Sequence, residues 1–540
     1  MRAAFPMNRS GWPLALLLTL VALAGCARHE PAVASAPRHV LRISQRNEPA
    51  DLDPARATLP DEFFIIRALS EGLLTPNPDG GAPLPAAAER YDVSPDGLIY
   101  TFHLRAAQWS NGDPVTAADF VESYRRALAP ATAAPKASVF FPVAGARNFT
   151  AGVLQDFGEV GFRAADAHTL IIRLNQPTPR FPAYVASGPW IPVHPGTVKK
   201  YGRAWTQPGH LVGNGPFTLA EWRAHQRIVV NRNPAYRDAA HVALDQIQFL
   251  RFDDGDSEER AYRAGQVDVT MDVPRTKLDS YARERAAELH RVALAETRFL
   301  TFNTQRAALA DVRVRQALSL AIDRQKLVER VLLGGQDPTM RFVPPALRAG
   351  GDGSPNRPGS AESNAGTQDG SERRPDFAEA RRLLAAAGFA GGKNFPELEL
   401  SAWSRSQTPV LEAIQQMWRQ ELGLNVVLAV REAKVHVSAL MTGDYDIGFM
   451  TAIPDVADPI DLPSRFAARA PENYPHWAGP EFNQALAAGD AGLAEQRLLT
   501  AAVIAPLYFN THPWLQSPRV HGWREDAFWT RFYPGVSIDP

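Results

Sequence analysis

Two acids, Asp455 and Asp458, stand three residues apart in the stretch Thr451-Ala452-Ile453-Pro454-Asp455-Val456-Ala457-Asp458-Pro459. Carboxylates in a short loop can hold a cation, cap a helix or work as acid and base. Pro454 and Pro459 stiffen the backbone that carries them. The loop follows residues 445–450, which read as a strand. In open α/β sheets ligands sit in the crevice beyond the carboxyl ends of strands, so position alone marks a candidate site. The same acids read equally as a turn starter at Asp458-Pro459 and a helix cap at Asp455. Other chemistry is sparse. There is no Gly-x-Ser-x-Gly elbow and no HExxH pair, and the 13 histidines are scattered. His194, His436 and His512 read as surface or hydrogen-bonded core residues. Gly213-Asn214-Gly215-Pro216 lacks the third glycine of a phosphate loop and reads as a tight turn. Nothing at residue level calls for an enzyme, a metal or a cofactor.

The single cysteine, Cys26, ends an apolar run over residues 12–23 that Arg2 and Arg9 precede. The run falls short of the roughly 20 residues that cross a bilayer, and its layout is that of a secretory signal. Leu23-Ala24-Gly25-Cys26 resembles the lipobox of bacterial lipoproteins. That resemblance implies cleavage before Cys26, acylation of its thiol and export of a tethered chain. An ordinary signal peptide with an incidental cysteine is the alternative. A lone thiol excludes intramolecular disulfides. With 57 basic and 58 acidic side chains the net charge is −1, which gives no electrostatic case for nucleic acid or an anionic membrane. Residues 26–38, rich in alanine and proline, read as a lipid-anchored spacer.

The elements that must position the acids are legible in part. Folded sequence begins near His39, with Val40, Leu41 and Ile43 as a first strand. Tyr100, Phe102 and Leu104 alternate with Ile99, Thr101 and His103 as a strand. Asn111-Gly112-Asp113-Pro114 is a turn signal. Thr116 stands three residues before Asp119 and opens a helix over 117–128. Further on, Asp311 can cap a long helix ended by Gly334-Gly335. Residues 349–372 are low in apolar content and read as a flexible insertion loop. A helix from Asp376, a strand at 398–402, a helix over 409–422 and a strand at 425–430 follow. A short helix over 435–441 then leads to the strand at 445–450. This alternation predicts an α/β chain with a mostly parallel sheet covered by helices.

Several stretches together resemble the solute-binding proteins of peptide ABC importers, in particular the oligopeptide-binding branch. They are Leu52-Asp53-Pro54 with Glu71-Gly72-Leu73-Leu74, and Tyr100-Thr101-Phe102-His103-Leu104-Arg105 through Trp109-Ser110-Asn111-Gly112-Asp113-Pro114. Trp205-Thr206-Gln207-Pro208-Gly209 leading to Asn214-Gly215, then Asn303 and Asp311-Val312-Arg313-Val314-Arg315, complete the set. The resemblance implies a two-lobed periplasmic-binding-protein-like fold (type II, cluster C) with an extra subdomain in the first lobe. The expected boundaries are 39–70, 195–296 and 511–540 for the first lobe, 71–194 for the subdomain and 297–510 for the second lobe.

It implies a non-enzymatic, monomeric receptor in the periplasm, anchored by lipid alone. Such a receptor takes short peptides to an ABC permease of the inner membrane. Asp455 inherits the aspartate that holds a peptide's α-ammonium, and Thr451, Ala452 and Ile453 would offer main-chain groups to the peptide. Tyr508 is expected as an aromatic wall. The sequence departs from the branch at four places. Ala452 and Ala433 replace tryptophans, Phe449 replaces an arginine, and Lys136 falls near a tyrosine of the smaller subdomain. The same scaffold bound to dipeptides, murein peptides, haem or a nickel complex is an alternative, and a peptide-processing enzyme is an alternative of another class.

Overall fold

A computed structural model describes residues 38–348 and 374–540. Cys26, the signal stretch and the 349–372 insertion lie outside the described residues. The strands used below are, in chain order, β1 (Val40–Gln45), β2 (Ala88–Val93), β3 (Ile99–Leu104), β4 (Phe162–Ala164) and β5 (Thr169–Arg173). They continue with β6 (Phe217–Arg223), β7 (Arg227–Arg232) and β8 (Gln246–Arg251). The remainder are β9 (Leu289–Phe302), β10 (Asp337–Pro338), β11 (Leu398–Ala402), β12 (Val426–Val430), β13 (Ile447–Ala452) and β14 (Ile504–Leu515).

Three sheets organise the chain. The first has the order β1-β8-β7-β6, with β1 parallel to β8 and the rest antiparallel. The second, β2-β3-β5-β4, is antiparallel throughout. Its alternation is the one read from sequence, since Tyr100, Phe102 and Leu104 are buried and Ile99, Thr101 and His103 are not. The helix Ala117–Leu128 packs on this sheet, and the backbone N–H of Thr116 donates to Asp119 Oδ2 at 2.8 Å, closing its first turn.

The third sheet has the order β10-β14-β9-β13-β11-β12. Only β11 with β12 and β11 with β13 are parallel; the other three pairings are antiparallel. The expectation of a mostly parallel sheet is therefore corrected to a mixed one. The reason lies in β9 and β14, two long strands that pair antiparallel from Leu289↔Leu515 to Thr301↔Ile504. β9 gives Val292 and Leu294 to the core around the first sheet, and Leu300 and Phe302 to the core around the third. β14 likewise gives Trp514 to one and Leu507 to the other. Both strands thus run from core to core, and their register slips between Ala293 and Thr297.

Local readings hold for the elements around the third sheet, with two corrections. Thr408–Leu422 is a helix whose buried face is Val410, Leu411, Ile414, Trp418 and Leu422, and it ends at Gly423 in the left-handed region. Asp311 caps its helix, but that helix stops at Leu320. Asp323 accepts from the backbone N–H of Lys326 and caps a new segment, so the single long helix is broken by a second capping aspartate. The strand before the acidic loop starts at Ile447 rather than Tyr445, whose hydroxyl donates to Tyr474 O at 2.6 Å.

Candidate functional site

The acidic loop leaves β13 at Ala452 and returns as the short helix Asp461–Ser464. Within it Asp458 is the turn residue. Its Oδ1 accepts from the backbone N–H of Ile460 at 3.1 Å, the local bonding that aspartate offers before a proline-led turn. Asp455 caps nothing. Its backbone N–H donates to Asp461 Oδ2 at 3.1 Å, and its carboxylate faces two cations. Lys136 Nζ lies 2.7 Å from Oδ1, and Arg465 Nη2 lies 3.4 Å from Oδ2.

Arg465 is the hub beneath the loop. It donates to Ile453 O at 2.6 Å and reaches Asp461 and Glu472 as well. Burial pushes the Asp455 carboxyl up, but Lys136 and Arg465 together outweigh burial and hold it below the usual aspartate range. Asp461, buried and close to Asp455 yet eased by Arg465, is pushed up to about 7. Burial also opposes the charge of Arg465, and the surrounding acids Asp461, Glu472 and Asp455 hold it protonated.

Asp455 lines a cavity of about 480 Å³, within the roughly 300–1,000 Å³ of small-ligand sites. Ile453, Pro454 and Val456 share its wall. Opposite stand Phe63 and Arg67 from the helix Pro60–Leu69, Tyr91, Lys136, residues 179–180, 182–183 and 186–189, and residues 526–530 including Trp529. The lining is largely proline, alanine, glycine and aromatic carbon, with two sets of charged residues in it, the first an ion pair and the second only near enough to feel each other's charge. One is Lys136 with Asp455. The other is Arg67 with Asp526, where burial pulls Arg67 down to about 10 and pushes Asp526 up to about 6.

The loop is also clasped from across the cavity. Arg180 Nη1 donates to Ala457 O at 3.3 Å, and Tyr184 Oη donates to Asp458 Oδ2 at 3.4 Å. Val456, 3% exposed, belongs to the core that covers the β2–β5 sheet rather than to the core of its own sheet.

The other residues expected at the site divide. Ile453 lines the cavity, but Thr451, Ala452 and Tyr508 do not. The Thr451 hydroxyl donates to Glu296 Oε1 at 2.9 Å. Ala452 is buried in the core with Phe299 and Met450. Beyond Gly448 no residue of β13 pairs with β11; there the ring of His436 takes over, with Nε2 3.3 Å from Phe449 O. Tyr508 pairs with Arg298 on one side and Pro338 on the other. Its ring is packed in the third sheet's core, and burial raises its phenol to about 12. As an aromatic wall Tyr508 is replaced by Phe63, Tyr91, Phe528 and Trp529. These four and Arg67 were missed because they come from segments with no motif. Lys136 stood out in the sequence only as a departure from a tyrosine.

Glu296 ties this region to the register slip in β9. It is 1% exposed, and its carboxylate also accepts from Asn510 Nδ2 at 3.2 Å and from Trp529 Nε1 at 3.3 Å, with Arg298 Nη2 at 2.7 Å. One buried acid thus joins β13, β14 and the cavity's Trp529. Gly213-Asn214-Gly215-Pro216 is a bend rather than the expected tight turn: its backbone bonds outward, with Gly215 N–H donating to Leu69 O and Gly213 O accepting from Ser110 N–H. A Cβ on Gly213 would lie 2.0 Å from Leu69 O, so only glycine lets the two backbones meet there.

Comparison with known proteins places the chain. Residues 82–473 match the model of the bacterial extracellular solute-binding proteins, family 5. The periplasmic murein peptide-binding protein MppA of Escherichia coli K12 is 31% identical over 539 residues, 96% of this chain and 97% of its own. The periplasmic oligopeptide-binding protein OppA of the same organism is 31% identical over 524 residues, 94% of each. The crystal structure of Haemophilus influenzae OppA in complex with RPPGFSPFR superposes with a TM-score of 0.79 at 28% identity, covering 93% of this chain and 99% of that one.

Proposed function

The chain belongs to the bacterial extracellular solute-binding proteins of family 5, and we propose that it captures short peptides in the cavity beside Asp455. The observation that carries this reading is the cavity with the half-buried Asp455 carboxylate on its wall, in a chain whose relatives are peptide-binding proteins. A peptide's α-ammonium arrives protonated at neutral pH and needs a counter-charge once it leaves water; Asp455 is that counter-charge. The main-chain groups of Thr451, Ala452 and Ile453 would pair with the peptide backbone as a strand does, which holds a peptide with little regard to its side chains. Phe63, Tyr91, Phe528 and Trp529 supply apolar walls for those side chains.

The wider reading follows the family. The two lobes close around the ligand by bending near the β9 register slip, and the loaded protein delivers its peptide to an ABC permease of the inner membrane. It acts as a monomer and leaves the peptide intact. The first lobe is taken as 39–70, 195–296 and 511–540, its extra subdomain as 71–194 and the second lobe as 297–510; the division of the buried cores supports this partition. Acylation at Cys26 holds the protein to a membrane from the periplasmic side.

Mass spectrometry of whatever co-purifies with the protein tests the reading. Intact short peptides at near one per chain are the expected result. A recurring non-peptide ligand, or peptides returned cleaved from an incubated library, would overturn it.

A further inference from the structure

Lys136 occupies the place where a ligand ammonium would go. It precedes the turn Ala137–Phe140, whose Ala137, Val139 and Phe140 are buried, so its backbone is fixed by the subdomain core. Its stem passes Phe63, with Nζ 5.5 Å from the ring centroid, and Nζ ends 2.7 Å from Asp455 Oδ1. Oδ2 is turned toward Arg465. Both oxygens of the proposed anchor are therefore already matched by cations, and both matched residues, Lys136 and Asp455, line the cavity. Their side chains keep 23% and 26% of full exposure, enough for an incoming group to reach the pair and too little for water to screen it away.

We propose that Lys136 is a tethered competitor for the ligand's ammonium, the residue that sets how strongly this cavity selects peptides with a free amino end. The inference rests on the reading that ligand meets Asp455. An ammonium arriving at an unpaired buried carboxylate gains a whole charge pair. Here it can only exchange with an ammonium already in place, because two like charges on one oxygen repel. The resident group is also favoured by its tether. A group on a short flexible linker acts at an effective concentration of about millimolar or higher. The reward for a free amine is reduced accordingly, and amino ends that carry no charge are penalised little. The cavity is thereby fitted to take N-blocked peptides alongside free ones.

The test is retention of a random tetrapeptide library and of its N-acetylated counterpart by the purified protein, quantified by mass spectrometry. The proteins compared are wild type, Lys136→Met, Lys136→Gln, Lys136→Arg and Asp455→Asn. Wild type and Lys136→Arg should favour free peptides over acetylated ones by less than about tenfold. In Lys136→Met, which keeps an apolar stem against Phe63, the preference should rise at least tenfold, and Lys136→Gln should follow it. Asp455→Asn should have no preference. A purely structural lysine would change total retention without changing this ratio. If Asp455→Asn loses the preference while both neutral Lys136 variants keep the wild-type ratio, Lys136 yields freely and the inference is wrong. A wild-type preference above a hundredfold overturns it too. If Asp455→Asn keeps the wild-type ratio, the anchor in the proposed function fails instead, and retention of no peptide by any protein would sink the peptide reading itself.

Discussion

Val456 offers a measure of how much the clasp between the lobes contributes to binding. It comes from the loop after β13, yet its side chain is 3% exposed within the core that covers the β2–β5 sheet. Opening the cavity removes it from that core, so its burial stabilises only the closed form. Val456→Ala deletes the equivalent of two methylenes. At about 0.8 kcal/mol each the closed form loses about 1.6 kcal/mol, and the unfilled space adds to this. At 1.4 kcal/mol per decade the closed-to-open ratio of the unliganded protein should fall by about fifteenfold. Peptide affinity, which is scaled by the competent fraction, should fall with it, by fifteen- to fiftyfold. Calorimetry with a co-purified peptide gives the affinity. A distance measured between spin labels on the two lobes gives the closed fraction. Because Val456 also touches the cavity, both readouts are required. An affinity within twofold of wild type, or a fifteenfold loss with the closed fraction unmoved, would refute the clasp.

Three further outcomes are expected. Asp461 titrates in the folded protein at about 7, above its value of about 3.9 in an unfolded chain. The folded state thus binds the extra proton, and stability falls as pH rises from about 4 to 7. Asp461→Asn should flatten that decline in denaturant melts at pH 4.5, 6 and 7.5, and an unchanged slope counts against the assignment. Glu296→Gln should cost about 3–5 kcal/mol of stability, since Arg298 loses its buried partner and, with the amide oxygen kept on Thr451 and Asn510, the amide N–H is turned toward the Trp529 indole N–H; a urea-melt loss below about 1 kcal/mol would contradict this. Cys26→Ser should abolish acylation and release the protein from the membrane fraction, and an unchanged fraction removes the lipid anchor from the account.

How much of this was legible depends on how local the signal was. The helix Ala117–Leu128 and the strand Leu398–Ala402 appear where periodicity and capping put them. The mixed character of the third sheet was hidden, because β9 and β14 pair across most of the second half of the chain and no local pattern announces an antiparallel partner. The acidic loop was legible as a strand end with two carboxylates. Its counter-ions were not. Lys136 reaches Asp455 from a different sheet's core, and nothing in the sequence around either residue points to the other.

The residues that carried the family resemblance share one property: they build the scaffold. Asp53 pairs with Arg126 and accepts from Nη1 at 2.9 Å. Glu71 is held by both Arg237 and Tyr236. Trp109 is fully buried and donates to Asp119, and Asn303 donates to Gly443 O and Tyr445 O. Each is satisfied within the protein and leaves nothing to offer a ligand. Motifs of this kind certify that the chain folds as its relatives do. They do not reach the cavity wall, whose aromatic and charged residues come in part from the helix Pro60–Leu69 and from β2 and in part from the loops around Lys136, Asp455 and Trp529. The place to look for selectivity is therefore where the motifs are silent, and the proposal above puts it on one lysine standing across from Asp455.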